Sequence, residues 1–246
     1  MTHSIEIPPA AARAAAGLAA PGTGRFSGSG AKSYDARIRR LVPGYSVLQE
    51  LVAPVLAARI GRGAASILLS GAGTGAELSE LAFQSTQWCF TAVDPAADML
   101  AIAGRRAEML GCLEQVDFRV STLGEYTPLH RHDAALSVLV AHFLPDTGEK
   151  ARYFADLADR LRPGAPLILA DLGLLFEDAT RPAFSRWIES VAPDPSLAAR
   201  TVERMAEDFY PVSEARLAEL LETAGFAPPV RFFQALDIAG YLTEKR

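Results

Sequence analysis

The chain has 246 residues, half of them hydrophobic and 22% charged, with a net charge of −5. That length buries most of a globular chain's apolar surface without staples, and the acidic balance argues against a general affinity for phosphate backbones, so a nucleic-acid partner is disfavoured. Two cysteines, Cys89 and Cys112, make neither a disulfide framework nor a structural zinc site, which fits a reducing cytoplasm.

Residues 1–30, rich in alanine, glycine and proline, read as a flexible N-terminal tail, or as a flap that orders over a ligand. They carry neither a basic start nor a leucine-rich stretch, so a signal peptide is not expected. No apolar run approaches the roughly 20 residues that cross a bilayer. The stretch 31–62 has helical periodicity, broken at Pro43-Gly44 and started again or kinked at Pro54. Ile67, Leu68 and Leu69 then form a short apolar run ending in a glycine-rich turn, as a buried parallel strand does. A helix is expected next, with Leu78, Leu81 and Ala82 on one face. A second strand ends at Asp94, and Pro95 opens another helix. Strands follow at QVDFRV and DAALSVLV, then an amphipathic helix with Tyr153, Phe154, Leu157 and Leu161, then a fifth strand, PLILADL. Strands alternating with helices at this spacing predict an α/β fold with a parallel sheet. Residues 173–212 break the pattern with helical stretches and aromatics, Phe176, Phe184, Trp187, Phe209 and Tyr210 among them. Ser213 and Gly225 read as the cap and stop of a last helix, before two closing strands.

The chemistry concentrates at Ser70-Gly71-Ala72-Gly73-Thr74-Gly75. Glycines let backbone turn sharply and approach a ligand, and the following helix start offers N–H groups to a carboxylate or phosphate. Asp94, 23 residues after Gly71, stands where a carboxylate accepts hydrogen bonds from ribose hydroxyls. Together they point to a nucleoside ligand. Gly71, Gly73 and Ala76 also satisfy a dinucleotide pattern, so a nicotinamide-dependent reductase is a rival. Against it, the glycine turn sits behind a helical preamble. The Tyr-x-x-x-Lys that short-chain reductases need occurs only as Tyr241 and Lys245, in the last six residues.

Residues 34–246 resemble a class I methyltransferase dependent on S-adenosylmethionine (SAM). ILLSGAGTG resembles that family's first motif and AVDPAADML its acidic second. VDFRVSTLGEY, DAALSVLVAHFLPD and LADRLRPGAPLILADL resemble the next three segments in order. The preamble YDARIRRLVPGYSVLQELV resembles the lid helices of small-molecule members, including the carboxy-SAM synthases. The resemblance implies a Rossmann-like, seven-stranded, mostly parallel sheet of order 3-2-1-4-5-7-6, over 31–246. Lid helices would span 31–62 and a helical cap 173–212. It implies SAM as cofactor, with Gly71, Ala72 and Gly73 at its methionine end and Asp94 on the ribose. Pro95 and Met99 would pack near the adenosine, and Ser121 and Thr122 would stand at the adenine. Val138 and Leu139 would lie beside the sulfonium.

For the reacting end, His142 stands where the family places a histidine near substrate, and Asp171 lies on the same rim; Tyr34 is a third catalytic candidate. Tyr34 and Arg37 share a helix face that reaches towards the SAM carboxylate, and Tyr45, Trp187 and Tyr210 are candidates to line the acceptor pocket. Each also has a structural reading, as a packed histidine, a turn aspartate or helix packing. His130 and His132 have a metal-like spacing without a supporting cluster and read as solvated loop; no metal is expected. The expected function is transfer of SAM's methyl group to a small-molecule acceptor, by an enzyme that is either a monomer or a homodimer. Cyclisation or modification of SAM itself, and a non-catalytic SAM-binding module, are the alternatives.

Overall fold

The computed structural model describes residues 26–173, 180–192 and 207–246. Seven strands, β1 (Ala65–Ser70), β2 (Trp88–Asp94), β3 (Val116–Val120), β4 (Ala134–Val138), β5 (Pro166–Leu172), β6 (Val230–Ala235) and β7 (Ile238–Glu244), form one sheet of order β3-β2-β1-β4-β5-β7-β6. The first five strands pair in parallel, and β7 runs antiparallel between β5 and β6. This is the predicted topology. Ile67, Leu68 and Leu69 of β1 are all inaccessible to solvent, as a strand covered on both faces must be.

The helices are α1 (Gly28–Lys32), α2 (Tyr34–Leu41), α3 (Tyr45–Ile60), α4 (Leu78–Leu81), α5 (Ala97–Met109), α6 (Glu149–Asp159), α7 (Thr180–Val191) and α8 (Glu214–Thr223). One face of the sheet packs Ile67 and Leu69 against Leu48, Val52 and Leu56 of α3. The other packs Leu68 against Phe154 and Leu157 of α6 and Leu221 of α8. Ser213 caps α8 by accepting from the Arg216 amide, and Gly225 follows its last turn at φ +89°.

Three expectations need adjustment. The helix after the glycine turn is a single turn, because Gly71, Gly73 and Gly75 all adopt positive φ and the chain cannot turn helical until it has left them. Within the stretch expected to form a lid, α3 is a core layer: Leu48, Val52 and Leu56 are fully buried beneath it. Pro54 sits inside α3 on its exposed side, where the freed carbonyl faces water and the helix continues. Only α1 and α2 lie where a lid would. Of the expected tail, residues 1–25 are outside the described residues, while Gly28–Gly30 already belong to α1, pinned by the Gly28 amide donating to Asp98 Oδ2 at 2.8 Å.

Among the described residues no single helix is long and apolar enough to cross a membrane. The pair α2 and α3 meets that test only together, and the two helices bend by 97° at Pro43-Gly44.

Candidate active site

The carboxyl ends of β1, β2, β4 and β5 bring most of the singled-out residues together. At β1 the glycine turn is stitched to β2: the Gly71 and Ala72 amides both donate to the Val93 carbonyl, at 2.8 and 3.1 Å. Gly71 has φ +68°, and a Cβ there would lie 2.4 Å from Val140 Cγ2, so only glycine fits. Asp94, at the end of β2, is buried. Its Oδ2 accepts from the Gly73 amide and its Oδ1 from the Ala96 amide, both at 2.8 Å. Burial pushes its carboxyl up to about 6, against the opposing pull of those two bonds. Each oxygen keeps a lone pair for a further donor.

Met99 is buried below the turn and Pro95 is exposed beside it. At the end of β3 the Ser121 hydroxyl is buried without a hydrogen-bond partner, while Thr122 ties both its amide and its hydroxyl to Glu125. A buried carboxylate with lone pairs to spare, a turn that a side chain would block and an orphaned hydroxyl at the end of β3 fit an adenosyl ligand.

At β4 and β5 the sequence builds a second constellation. Leu139 leaves β4 with φ +58°, a costly conformation for leucine that is held by its amide bonding to Ala170. The chain then makes a 3-10 turn over Ala141–Phe143 that carries His142. His142 Nδ1 bonds Asp171 Oδ1, and the His142 amide donates to Asp171 Oδ2 at 3.0 Å, so one carboxylate grips both ring and backbone. The Leu172 amide adds a bond to Oδ1 at 2.8 Å. Both side chains are nearly inaccessible. Phe143 and Phe209 wall the imidazole, with centroids 4.2 and 4.6 Å away.

Phe26 and helix α2 cross between these two halves. Phe26 packs on Tyr34 and on Phe143, spanning from α2 to the His142 turn. Burial raises the Tyr34 hydroxyl, and the charges of Glu77 and Asp94 reinforce the shift, so it is a neutral phenol beside both carboxyls. Arg37 stacks over the Tyr34 ring at 5.6 Å. Asp35 latches α2 to the glycine turn by accepting from Thr74 Oγ1 and pairing with Arg106, which also donates to the Thr74 carbonyl at 2.7 Å.

Several candidates stand elsewhere. Tyr45 opens α3 within the core cluster, with Arg39 over its ring and Glu77 and Tyr34 acting on its hydroxyl. Trp187 spends its Nε1 hydrogen on the Leu41 carbonyl, at 3.1 Å, clasping α7 to α2 with Phe184 and Ile188 packed alongside. Tyr210 is 44% exposed and only its amide meets the site, donating to the His142 carbonyl, whereas the neighbouring Phe209 packs on the ring. Val138 pairs with Ala170 in the sheet. Phe176 lies outside the described residues. His132 is not solvated loop: it is buried between Ser66 Oγ at 2.8 Å and Tyr126 Oη at 3.0 Å, and burial lowers it to about 4. His130 is exposed, and the described residues hold no metal-binding group.

Residues 67–164 match a family model described as a methyltransferase domain. A search of proteins of curated function finds no match. Among solved structures, the mitomycin 7-O-methyltransferase is 19% identical with a TM-score of 0.61, covering 82% of this chain and 55% of that one. Magnesium protoporphyrin IX methyltransferase from Synechocystis PCC 6803, with bound S-adenosylhomocysteine, is 18% identical with a TM-score of 0.61, covering 82% and 84%. An S-adenosyl-L-methionine-dependent methyltransferase assigned in Methanococcus maripaludis is 19% identical with a TM-score of 0.60, covering 89% and 94%. At these identities the likeness is one of fold, and the chain spans little more than half the length of the mitomycin enzyme.

Proposed function

From the premise that residues 67–164 form a methyltransferase domain, we propose that this chain uses SAM to methylate a hydroxyl group on a small molecule. The observation that carries the reading is the buried His142–Asp171 pair, set on the same strand-end rim as the glycine turn and Asp94. When bound, SAM supplies a methyl group on a sulfonium, electrophilic enough that transfer needs chiefly proximity and alignment. Asp94 accepts from the ribose hydroxyls, Ser121 stands at the adenine, and the Gly71–Gly73 backbone lines the methionine end. Tyr34 and Arg37 close over that end from α2.

A hydroxyl is a weak nucleophile until its proton leaves. Asp171 accepts a hydrogen bond from the Nδ1–H of His142, which leaves the other ring nitrogen as the base. An acceptor oxygen forms its bond to the methyl carbon as the carbon–sulfur bond breaks, with the electron pair going to sulfur. The hydroxyl proton goes to His142 and from there to water. Phe143 and Phe209 suit a flat acceptor. We place the enzyme in the cytoplasm on its cysteine usage, with Cys89 and Cys112 unbridged.

The test is product analysis across a panel of hydroxylated metabolites. S-adenosylhomocysteine and a product heavier by one methylene are expected, with His142→Gln lowering turnover by about 100-fold or more. Methylthioadenosine as the sole product, or full turnover by His142→Gln, contradicts the proposal.

A further inference from the structure

Helix α6 presents Tyr153, Phe154 and Leu157 to the core, and Lys150 stands on that same face, one turn earlier. Lys150 is 1% exposed. A buried ammonium costs several kcal/mol unless it is hydrogen-bonded and balanced by a negative charge. The hydrogen bond goes to the Ala141 carbonyl, the residue before His142. Burial lowers the Lys150 ammonium from its ordinary value, and the charges of Asp171 and Asp146 pull the other way. Asp146 is already engaged by Arg216 of α8, through two bonds at 2.9 and 3.1 Å. From β7, Tyr241 is held neutral, because burial pushes its hydroxyl up to about 12. From α8, Glu214 pairs with Arg231. Asp171 is therefore the charge left to balance Lys150, and both line one small cavity beneath the His142 turn.

We propose that Lys150 is a positioning residue of the His142–Asp171 pair. Its buried ammonium supplies the counter-charge to Asp171 and anchors the Ala141–Phe143 turn, so that His142 keeps its Nδ1 proton on Asp171 and leaves the other nitrogen for the acceptor's proton. This rests on the reading of His142 as the base. The like charge of Lys150 also works against a second proton on the imidazole, so its removal favours that proton.

The test is a nitrogen-15 NMR titration of the His142 ring in the full chain, a readout that does not need turnover. In the unmodified protein at neutral pH the Nδ1-protonated tautomer is expected. Lys150→Met, similar in length and apolar, takes away the counter-charge of Asp171 and should lower the melting temperature without unfolding the chain, since removing one partner of a buried charge pair is destabilising. It should move the His142 titration midpoint up by about one pH unit, a tenfold rise in proton affinity, and move the acid limb of kcat/KM with it. Lys150→Arg keeps the charge and should restore both. An Nε2-protonated tautomer in the unmodified protein, an unmoved midpoint in Lys150→Met, or equal shifts in the Met and Arg variants would each overturn the proposal. Full turnover by His142→Gln would instead remove the base, while the NMR shift would still report what Lys150 does to the ring.

Discussion

Burial pushes the Asp94 carboxyl up to about 6, and the sign of that shift has consequences for binding. Between about pH 4 and 6 the ligand-free protein holds a proton that the unfolded chain has lost, so this group favours the fold at low pH and that contribution is lost as pH rises through 6. Ribose hydroxyls need the ionised form. SAM affinity should therefore weaken as pH falls below 6, and binding in that window should release a proton, measurable by calorimetry in buffers of different ionisation enthalpy. Asp94→Ala should weaken SAM binding by roughly 10- to 150-fold, the loss of about 1.5–3 kcal/mol of charge-assisted hydrogen bonding. Unchanged affinity would remove Asp94 from the site. At this scale the sequence was informative where the backbone dictates residue type. The glycine turn, Asp94 and the His142 and Asp171 candidates all stand on the strand-end rim. Lys150 left a signal that went unused, a lysine at i relative to Tyr153, Phe154 and Leu157 at i+3, i+4 and i+7 on an apolar face. His132 left none, since its partners Ser66 and Tyr126 come from other segments.

Helices α2 and α3 differ in what holds them. Helix α3 is fixed by a fully buried face, whereas α2 has no buried residue and is held by the Asp35 latch, the Phe26 and Tyr34 contacts and the Trp187 clasp. Composition and periodicity gave both segments the same helical pattern, and which of them would be buried depended on the sheet that each meets. The Asp35–Arg106 pair joins residues 71 positions apart, a distance at which a single sequence carries no pairing signal. The latch should set how often α2 opens. Asp35→Asn should speed hydrogen exchange across residues 28–41 by about tenfold while leaving the sheet unchanged, because a bond between charged groups is weakened to one between neutral and charged groups. Equal exchange in the two proteins would mean that packing alone holds the helix down.

At the scale of the whole molecule, strand order followed from alternation of strands and helices together with the family resemblance, and the observed order agrees. The fold also predicts its own ligand response. S-adenosylhomocysteine at about 100 times its Kd should stabilise the protein by about 2.7 kcal/mol, which raises the Tm of a chain this size by roughly 5–11 °C. NADP(H) at the same concentration should leave it unmoved; the reverse pattern would return the glycine turn to the reductase reading. One contact ties the two halves of the site together: the space a side chain at position 71 would need is filled by Val140, two residues before His142. The segment proposed to grip the nucleoside and the segment proposed to carry the base are thus neighbours that leave each other no slack. Neither can drift alone over evolution. A lineage that enlarges position 71 must both shrink position 140 and bear a left-handed backbone there, and every such exchange shifts the ground under the histidine. New acceptors are more readily reached by altering Phe26 and Phe209, which touch the site from outside this interlock.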